Sequence, residues 1–105
     1  MKIINTTPHD VVMLDSNNEV IRVFPPELSV RVSSEVVKVG ELDGFPLEAT
    51  TFGEAEGLPA QENDVFYIVS RLVKSALPNR HDLICPGQQV RDGQGRVIGC
   101  RSFSY

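Results

Sequence analysis

Residues 67–87 read YIVSRLVKSALPNRHDLICPG, and a strand pattern changes there into a helix pattern without a break. The apolar run Tyr67 to Val69 is typical of a central strand that is covered on both faces. From Arg71 to Leu77 the apolar residues recur at helical spacing, with Ser70 as a natural N-cap and Pro78 as the stop. We therefore predict a buried strand followed by a helix of about two turns, which packing must hold in place.

The rest of the chain has the patterns of short strands joined by turns. Residues 28–33, LSVRVS, alternate apolar and polar side chains, as a half-exposed strand does. The Asp-Gly pair within residues 42–46 favours a hairpin turn, and residues 88–103 predict a second hairpin around DGQG, in which Gly99 indicates a bulge or a close approach. The sequence thus predicts a mainly β or α+β fold: a small meandering β-sheet or partly closed barrel of about seven strands with one short α-helix.

Length and composition are those of a single globular domain covering residues 1–105. Hydrophobic residues make up 41% of the chain and charged residues 23%, which are ordinary proportions for a soluble protein. The first ten residues, MKIINTTPHD, lack the apolar core of a signal peptide, and no segment approaches the ~20 apolar residues of a membrane span. Two cysteines are too few for a disulfide framework. We expect no membrane association and a cytoplasmic location.

Charge is unevenly divided along the chain, whose net charge is −4. Residues 1–64 carry four lysines and arginines against twelve aspartates and glutamates, whereas residues 65–105 carry six against two. Halves of net charge −8 and +4 favour self-complementary assembly, so we expect a homo-oligomer. The overall acidity argues against binding duplex nucleic acid, which favours a basic domain.

Metal ligands and nucleophiles are few and poorly spaced. His9, His81, Cys85 and Cys100 are the soft metal ligands, but they form no CxxC or HxxxH pair, so no metal site is predicted. Cys85 or Ser70 with a histidine and an aspartate would make a hydrolase triad, yet no GxSxG or comparable context surrounds them. We predict no catalytic residues and no cofactor, and a small hydrolase is the least favoured of three alternatives.

The N-cap explains the choice of serine at position 70, but it does not explain why a cation, Arg71, follows in the first turn of the helix. A cation in the first turn of a helix opposes the helix dipole, at a cost of a few tenths of a kcal/mol, and such local inconsistencies are more often functional. Together with the Ser70 cap, Arg71 predicts an anion site at the start of the helix. The alternative is that Ser70 only caps and that Arg71 lies on the surface or pairs with Glu62 or Asp64.

Further arginines and one histidine are candidates for the same site. Five of the six basic residues in the second half are arginines, whose side chain suits bidentate contacts with phosphate or carboxylate. His9 is a candidate for stacking on a base. The predicted ligand-binding residues are Ser70, Arg71, Arg80, Arg91, Arg96, Arg101 and His9.

Several segments of the chain resemble a known family. They read NTTPHDVVMLD, VFPPELSVRVS, VFYIVSRLVKSALPNRHDLICPG and VRDGQGRVIGCRSF, and together they cover nearly the whole chain. Similar N-x-T-P-H, YIVSxLV and VRDxxGxxIGC motifs mark a family of short proteins from bacterial genomes, prophages and tailed phages. The resemblance brings no catalytic residues with it. It implies a phage or mobile-element context, in which small proteins without enzyme motifs often act by binding.

We therefore expect a non-enzymatic binding module that captures a small anionic ligand such as a nucleotide, for example to sequester an antiphage defence signal. The arginine-rich second half favours this expectation. The alternative is a phage or prophage protein that binds and inhibits or modulates a host protein. Residues 54–64, EAEGLPAQEND, favour that alternative, because this acidic stretch is long enough for a lid or a contact loop.

Overall fold

The computed structural model describes all of residues 1–105 and is mostly β, with 52% strand and 6% helix. The prediction of a β-rich fold with one short helix is confirmed, and none of the sheets closes into a barrel. No helix has the length and apolar content needed to cross a membrane. In chain order the elements are β1 (Lys2–Asn5), β2 (Val11–Leu14), β3 (Val20–Phe24), β4 (Arg31–Leu42), β5 (Phe45–Glu56), β6 (Val65–Ile68), α1 (Arg71–Ala76), β7 (Leu83–Pro86), β8 (Gln89–Arg91), β9 (Val97–Cys100) and β10 (Phe103–Ser104).

Two four-stranded sheets form the body of the molecule. The first has the order β1-β6-β7-β10, in which β6 pairs in parallel with both β1 and β7. The second has the order β3-β2-β9-β8. Strands β4 and β5 pair only with each other, in a long hairpin that we call the arm (residues 31–56). The strand predicted at residues 28–33 begins later, at Arg31, and continues to Leu42.

The core consists of two apolar clusters on opposite faces of the first sheet. Alternation along β6 and β7 places Ile68 and Ile84 on the face toward the second sheet, where they meet Val11, Phe24 and Cys100. Helix α1 and the base of the arm cover the other face. Because β6 is buried on both faces, the prediction of a central strand is confirmed. The buried residues of this second cluster are Tyr67, Val69, Val73, Leu83 and Cys85.

Helix α1 begins after the predicted cap. Ser70 Oγ accepts a hydrogen bond from the backbone N–H of Val73 at 3.2 Å, and the last helical residue, Ala76, lies two positions before Pro78. A helix of six residues has too few internal hydrogen bonds to be stable alone. The burial of Val73 in the second cluster therefore holds the helix in place.

Gly44 in the turn of the arm and Gly99 in β9 have the structural roles that the sequence predicts for them. Asp43 and Gly44 at the end of the arm both have positive φ, of 53° and 82°, as a two-residue type I′ hairpin turn requires. Gly99 in β9 lies close to β2, and a Cβ at this position would approach Leu14 Cγ to 2.8 Å and the carbonyl oxygen of Val12 to 2.9 Å. A larger residue than glycine would push these two paired strands apart.

Asn5 joins the two sheets through its buried side chain, with 0% of the residue exposed. Its Nδ2 donates to the backbone carbonyl oxygens of His9, at 2.7 Å, and Phe24, at 2.8 Å. Its Oδ1 accepts from the backbone N–H of Thr7, at 2.9 Å, and from the Thr7 hydroxyl, at 2.6 Å. Both amide donors are therefore used, and one side chain fixes the end of β1, the end of β3 and the loop of residues 6–10.

Replacing Asn5 with aspartate keeps the shape of the side chain and removes both donated hydrogen bonds. We expect Asn5→Asp to lower the free energy of unfolding by about 3–5 kcal/mol at neutral pH, because a buried carboxylate then faces two carbonyl oxygens. The same change at the exposed Asn79 is the matched control, which should stay within about 0.5 kcal/mol of wild type. Urea unfolding followed by circular dichroism measures both.

The loss of stability in Asn5→Asp should depend on pH in one direction. Burial beside carbonyl oxygens raises the pKa of the new carboxyl above its value in the unfolded chain, so the folded state binds the extra proton. The stability deficit of Asn5→Asp relative to wild type should therefore shrink as the pH falls from neutral toward about 4. A deficit that grows on acidification, or one no larger than that of Asn79→Asp, would contradict the role assigned to Asn5.

Candidate functional site

A cleft of about 500 Å³ lies where the two sheets and helix α1 meet. The loop after β1 contributes Thr7, His9 and Asp10 to its lining, and the start of helix α1 contributes Ser70 and Arg71. The volume falls within the ~300–1,000 Å³ typical of small-molecule sites. Three of the predicted ligand-binding residues therefore lie together, namely His9, Ser70 and Arg71.

Thr6 brings the two walls of the cleft together. Its backbone N–H and its hydroxyl both donate to the carbonyl oxygen of Ile68, at 3.0 Å and 2.7 Å. Ile68 is the last residue of β6 and lies two positions before Ser70, while Thr6 begins the loop that carries His9. This contact therefore sets the loop beside the first turn of helix α1.

A smaller apolar cavity adjoins the cleft. It has a volume of about 180 Å³ and a wall that includes Ile98, and it shares five lining residues with the cleft, namely Asp10, Val11, Pro86, Gln89 and Val97. The combined depression has a cationic end at Arg71 and an apolar end at Ile98. This arrangement suits a ligand that joins an anionic group to a flat apolar one.

Arg71 has an exposed guanidinium that no group of the chain binds. None of the ion pairs or side-chain hydrogen bonds involves it, so it does not pair with Glu62 or Asp64. Ser70 does act as a cap, and a helix as short as α1 makes no anion site through its N-terminus alone. The free guanidinium in the cleft is therefore the feature that attracts an anion.

Arg80 is held away from the cleft by a largely buried ion pair. Its Nε and Nη2 donate to the two carboxylate oxygens of Asp82 at 2.9 Å and 2.7 Å, and Nη2 also donates to the carbonyl oxygen of Pro59 at 2.9 Å. The hydrogen bonds to Asp82 raise the pKa of Arg80. Arg80 therefore fixes the loop before β6 to the turn before β7, and it does not line the cleft.

The three arginines of the last hairpin also bind acceptors of their own chain. Arg91 and Arg96 contact groups within their own turn, the carbonyl oxygen of Gly95 at 2.7 Å and the carboxylate of Asp92 at 3.3 Å. Arg101 donates to a carbonyl oxygen of the β2–β3 turn at 3.4 Å. None of the three lines the cleft, in contrast to the expectation from sequence, because nearby turn acceptors already bind them.

Three polar residues of the cleft besides His9 are not among the residues predicted from the sequence. Thr7 and Asp10 belong to the same TTPHD segment as His9, so they could have been predicted as site residues together with it. Gln89 has no comparable signal in the sequence. Its place in the cleft depends on the pairing of β9 with β2, which brings the last hairpin beside the loop after β1 and joins segments far apart in the chain.

The two cysteines are buried free thiols. Cys85 lines the cleft and Cys100 lines the apolar cavity. Burial raises the pKa of both thiols, and at Cys85 the charges of Lys74 and Arg71 offset this only in part. Both therefore have a low thiolate fraction at neutral pH. No group of three or more histidine, cysteine, aspartate or glutamate side chains is arranged to hold a metal ion.

Known proteins provide no relative of this chain. No protein-family model matches the chain, and neither a curated protein nor a solved structure matches it. The function must therefore be inferred from the residues of the cleft.

Proposed function

We propose that the protein binds a small anionic ligand such as a nucleotide in the cleft at Arg71, without converting it. The observation that carries this proposal is the unpartnered guanidinium of Arg71 in a cleft that continues into an apolar cavity. Arginine suits a phosphate group because its planar fork donates two parallel hydrogen bonds. The exposed apolar side chains of Val97 and Ile98 suit the face of a base.

The polar residues around Arg71 offer the other contacts that a nucleotide requires. The Ser70 oxygen accepts the capping bond, so its hydroxyl proton is free to bind a phosphate oxygen, and the Gln89 amide is a further donor. Asp10 accepts from a ribose hydroxyl or an exocyclic amine, and the imidazole of His9 stacks on the base. The carboxylate of Asp10 also disfavours ligands with many negative charges. This set therefore favours a ligand with few phosphate groups.

The phage or mobile-element context is part of the same proposal, and it rests on the resemblance to short phage proteins. A protein that holds a nucleotide without consuming it lowers the free concentration of that nucleotide. Sequestration of an antiphage defence signal fits this behaviour. The alternative of a host-protein contact through residues 54–64 has less support, because residues 54–56 lie within β5 and Arg80 binds Pro59.

Removing the guanidinium of Arg71 tests the site. Arg71→Ala should weaken nucleotide binding by about 10–100-fold, because a charge-assisted bidentate contact is worth about 1.5–3 kcal/mol. Arg96→Ala is the matched control, since Arg96 is exposed and lies outside the cleft, and its affinity should equal that of wild type. Isothermal titration calorimetry with a panel of cyclic and linear nucleotides measures both.

Two results of this titration would count against the proposal in different ways. If no nucleotide binds at about millimolar concentration, the ligand class is wrong. If a nucleotide binds and Arg71→Ala has the affinity of wild type, the ligand class stands and the site lies elsewhere.

Thiol reactivity tests the cysteine version of the hydrolase alternative. Because burial raises the pKa of Cys85 and Cys100, we expect both native thiols to resist iodoacetamide at about pH 8, while the urea-unfolded chain reacts fully. Mass spectrometry after timed quenching measures the extent of modification. Rapid alkylation of Cys85 in the folded protein would contradict its burial and restore it as a candidate nucleophile.

A further inference from the structure

The arm gives the molecule more exposed surface than a compact chain of this length has. The radius of gyration is 16.7 Å, against about 13 Å expected. The accessible surface is 7296 Å², which is about 1,500 Å² above the ~5,800 Å² expected for a compact monomer of this mass. Strands β4 and β5 have no other strand neighbour, and two-stranded ribbons are marginally stable in water. The arm is therefore the part of the fold that most needs a covering surface.

One face of the arm is apolar near its turn. The residues of this face, which we call the tip face, lie opposite one another in pairs: Leu42 with Phe45, Gly40 with Leu47, and Val37 with Ala49. The three members on β5 alternate along the strand, so the pairs share one side of the ribbon. None of the six is charged, and Leu42 and Phe45 are 68% and 70% exposed.

The body of the same chain packs against the opposite side of the ribbon. At the base of the arm, Val32 packs against the second core cluster, and helix α1 contacts both arm strands. Alternation along β4 puts Val32 and Val36 on one side of the ribbon and Val37 on the other. The side that packs on the body and the tip face are therefore opposite sides, so the chain's own core does not cover the tip face.

Pairing of another strand along the edges of the arm is hindered. The register of the arm shifts between Val32 and Ser34 and again between Lys38 and Gly40. Such irregularities interrupt the row of backbone groups that an added strand would use. Pro46 on β5 has no N–H to donate. A partner is therefore expected on the face of the arm rather than along its edges.

We propose that the tip faces of two copies of this chain pack against each other and form a two-fold symmetric dimer. A two-fold contact brings the same patch of both copies together, and an uncharged apolar patch is complementary to itself. The surplus of about 1,500 Å² per chain belongs to the extended shape of the whole molecule, in which nearly every residue of the arm is exposed, and it is larger than the ~800 Å² that each partner contributes to a standard interface. The arm of a second copy, packed with its tip face on that of the first, therefore offers an area of the size that a standard interface requires.

This dimer differs from one held by the oppositely charged halves of the sequence. Contact between apolar faces persists when salt screens charges, whereas attraction between the halves weakens. We expect the same dimer between about 0.05 and 1 M sodium chloride. The tip face shares no residue with the cleft, so the dimer goes beyond the proposed function and does not rest on it.

Sedimentation equilibrium of the full chain measures the dissociation constant of the dimer. In the double variant Phe45→Lys/Leu47→Lys this constant should rise by about 100-fold or more, because association would bury two ammonium groups per chain. Val36→Lys is the matched control. It changes an apolar residue that is 60% exposed on the other side of the ribbon, and it should leave the constant unchanged.

A milder variant keeps the test decisive if the two lysines unfold the arm. Phe45→Thr keeps a residue of high strand propensity and removes most of the apolar contact, so it should raise the dissociation constant by about 10-fold. Far-ultraviolet circular dichroism establishes that each variant keeps its strand content.

Three results would overturn the proposal. One is a wild-type chain that stays monomeric at about 0.1 mM, which would leave the tip face to a different partner. Another is a dimer that dissociates as salt is raised. The third is a dimer whose dissociation constant is the same in wild type, Phe45→Lys/Leu47→Lys and Phe45→Thr.

Discussion

The buried amide of Asn5 is the contact on which the other features of the body depend. Its hydrogen bonds join the end of β1 to the end of β3 and to the loop that carries His9 and Asp10. An amide left without partners inside a protein costs free energy, so any arrangement that separates these segments is disfavoured. Because this loop forms one wall of the cleft, the position of its polar groups follows from a contact made inside the core.

The fold divides its apolar surface between a small core and an exposed arm. Only 16 of the 105 residues are buried, in or beside two clusters on the faces of the first sheet. This core holds the cleft in shape but leaves the arm uncovered near its turn. Ligand capture would use the body, whereas self-association would use the arm. The two activities therefore use separate residues, and a variant that abolishes one need not affect the other.

Local features of this fold could be predicted because they depend on neighbours in sequence. The Ser70 cap, the turn at Asp43 and Gly44, and the close approach at Gly99 each follow from the size or hydrogen-bonding capacity of one or two residues. The expected convergence of the arginines on one site is not observed, because Arg80 and Arg101 bind acceptors that only the folded chain brings near. Alternation likewise indicates a half-exposed strand at residues 28–33, but not the long arm that this strand begins or what covers the arm.

The central claim is that the cleft beside Arg71 holds a small anion next to an apolar cavity. The most direct test is a crystal structure of the protein purified from its own host cells and never exposed to added ligand. We predict electron density for a phosphate-like group within hydrogen-bonding distance of the Arg71 guanidinium, continuing into a flat group against Ile98. A cleft without such density, in which the Arg71 side chain instead pairs with Glu62 or Asp64, would contradict the claim.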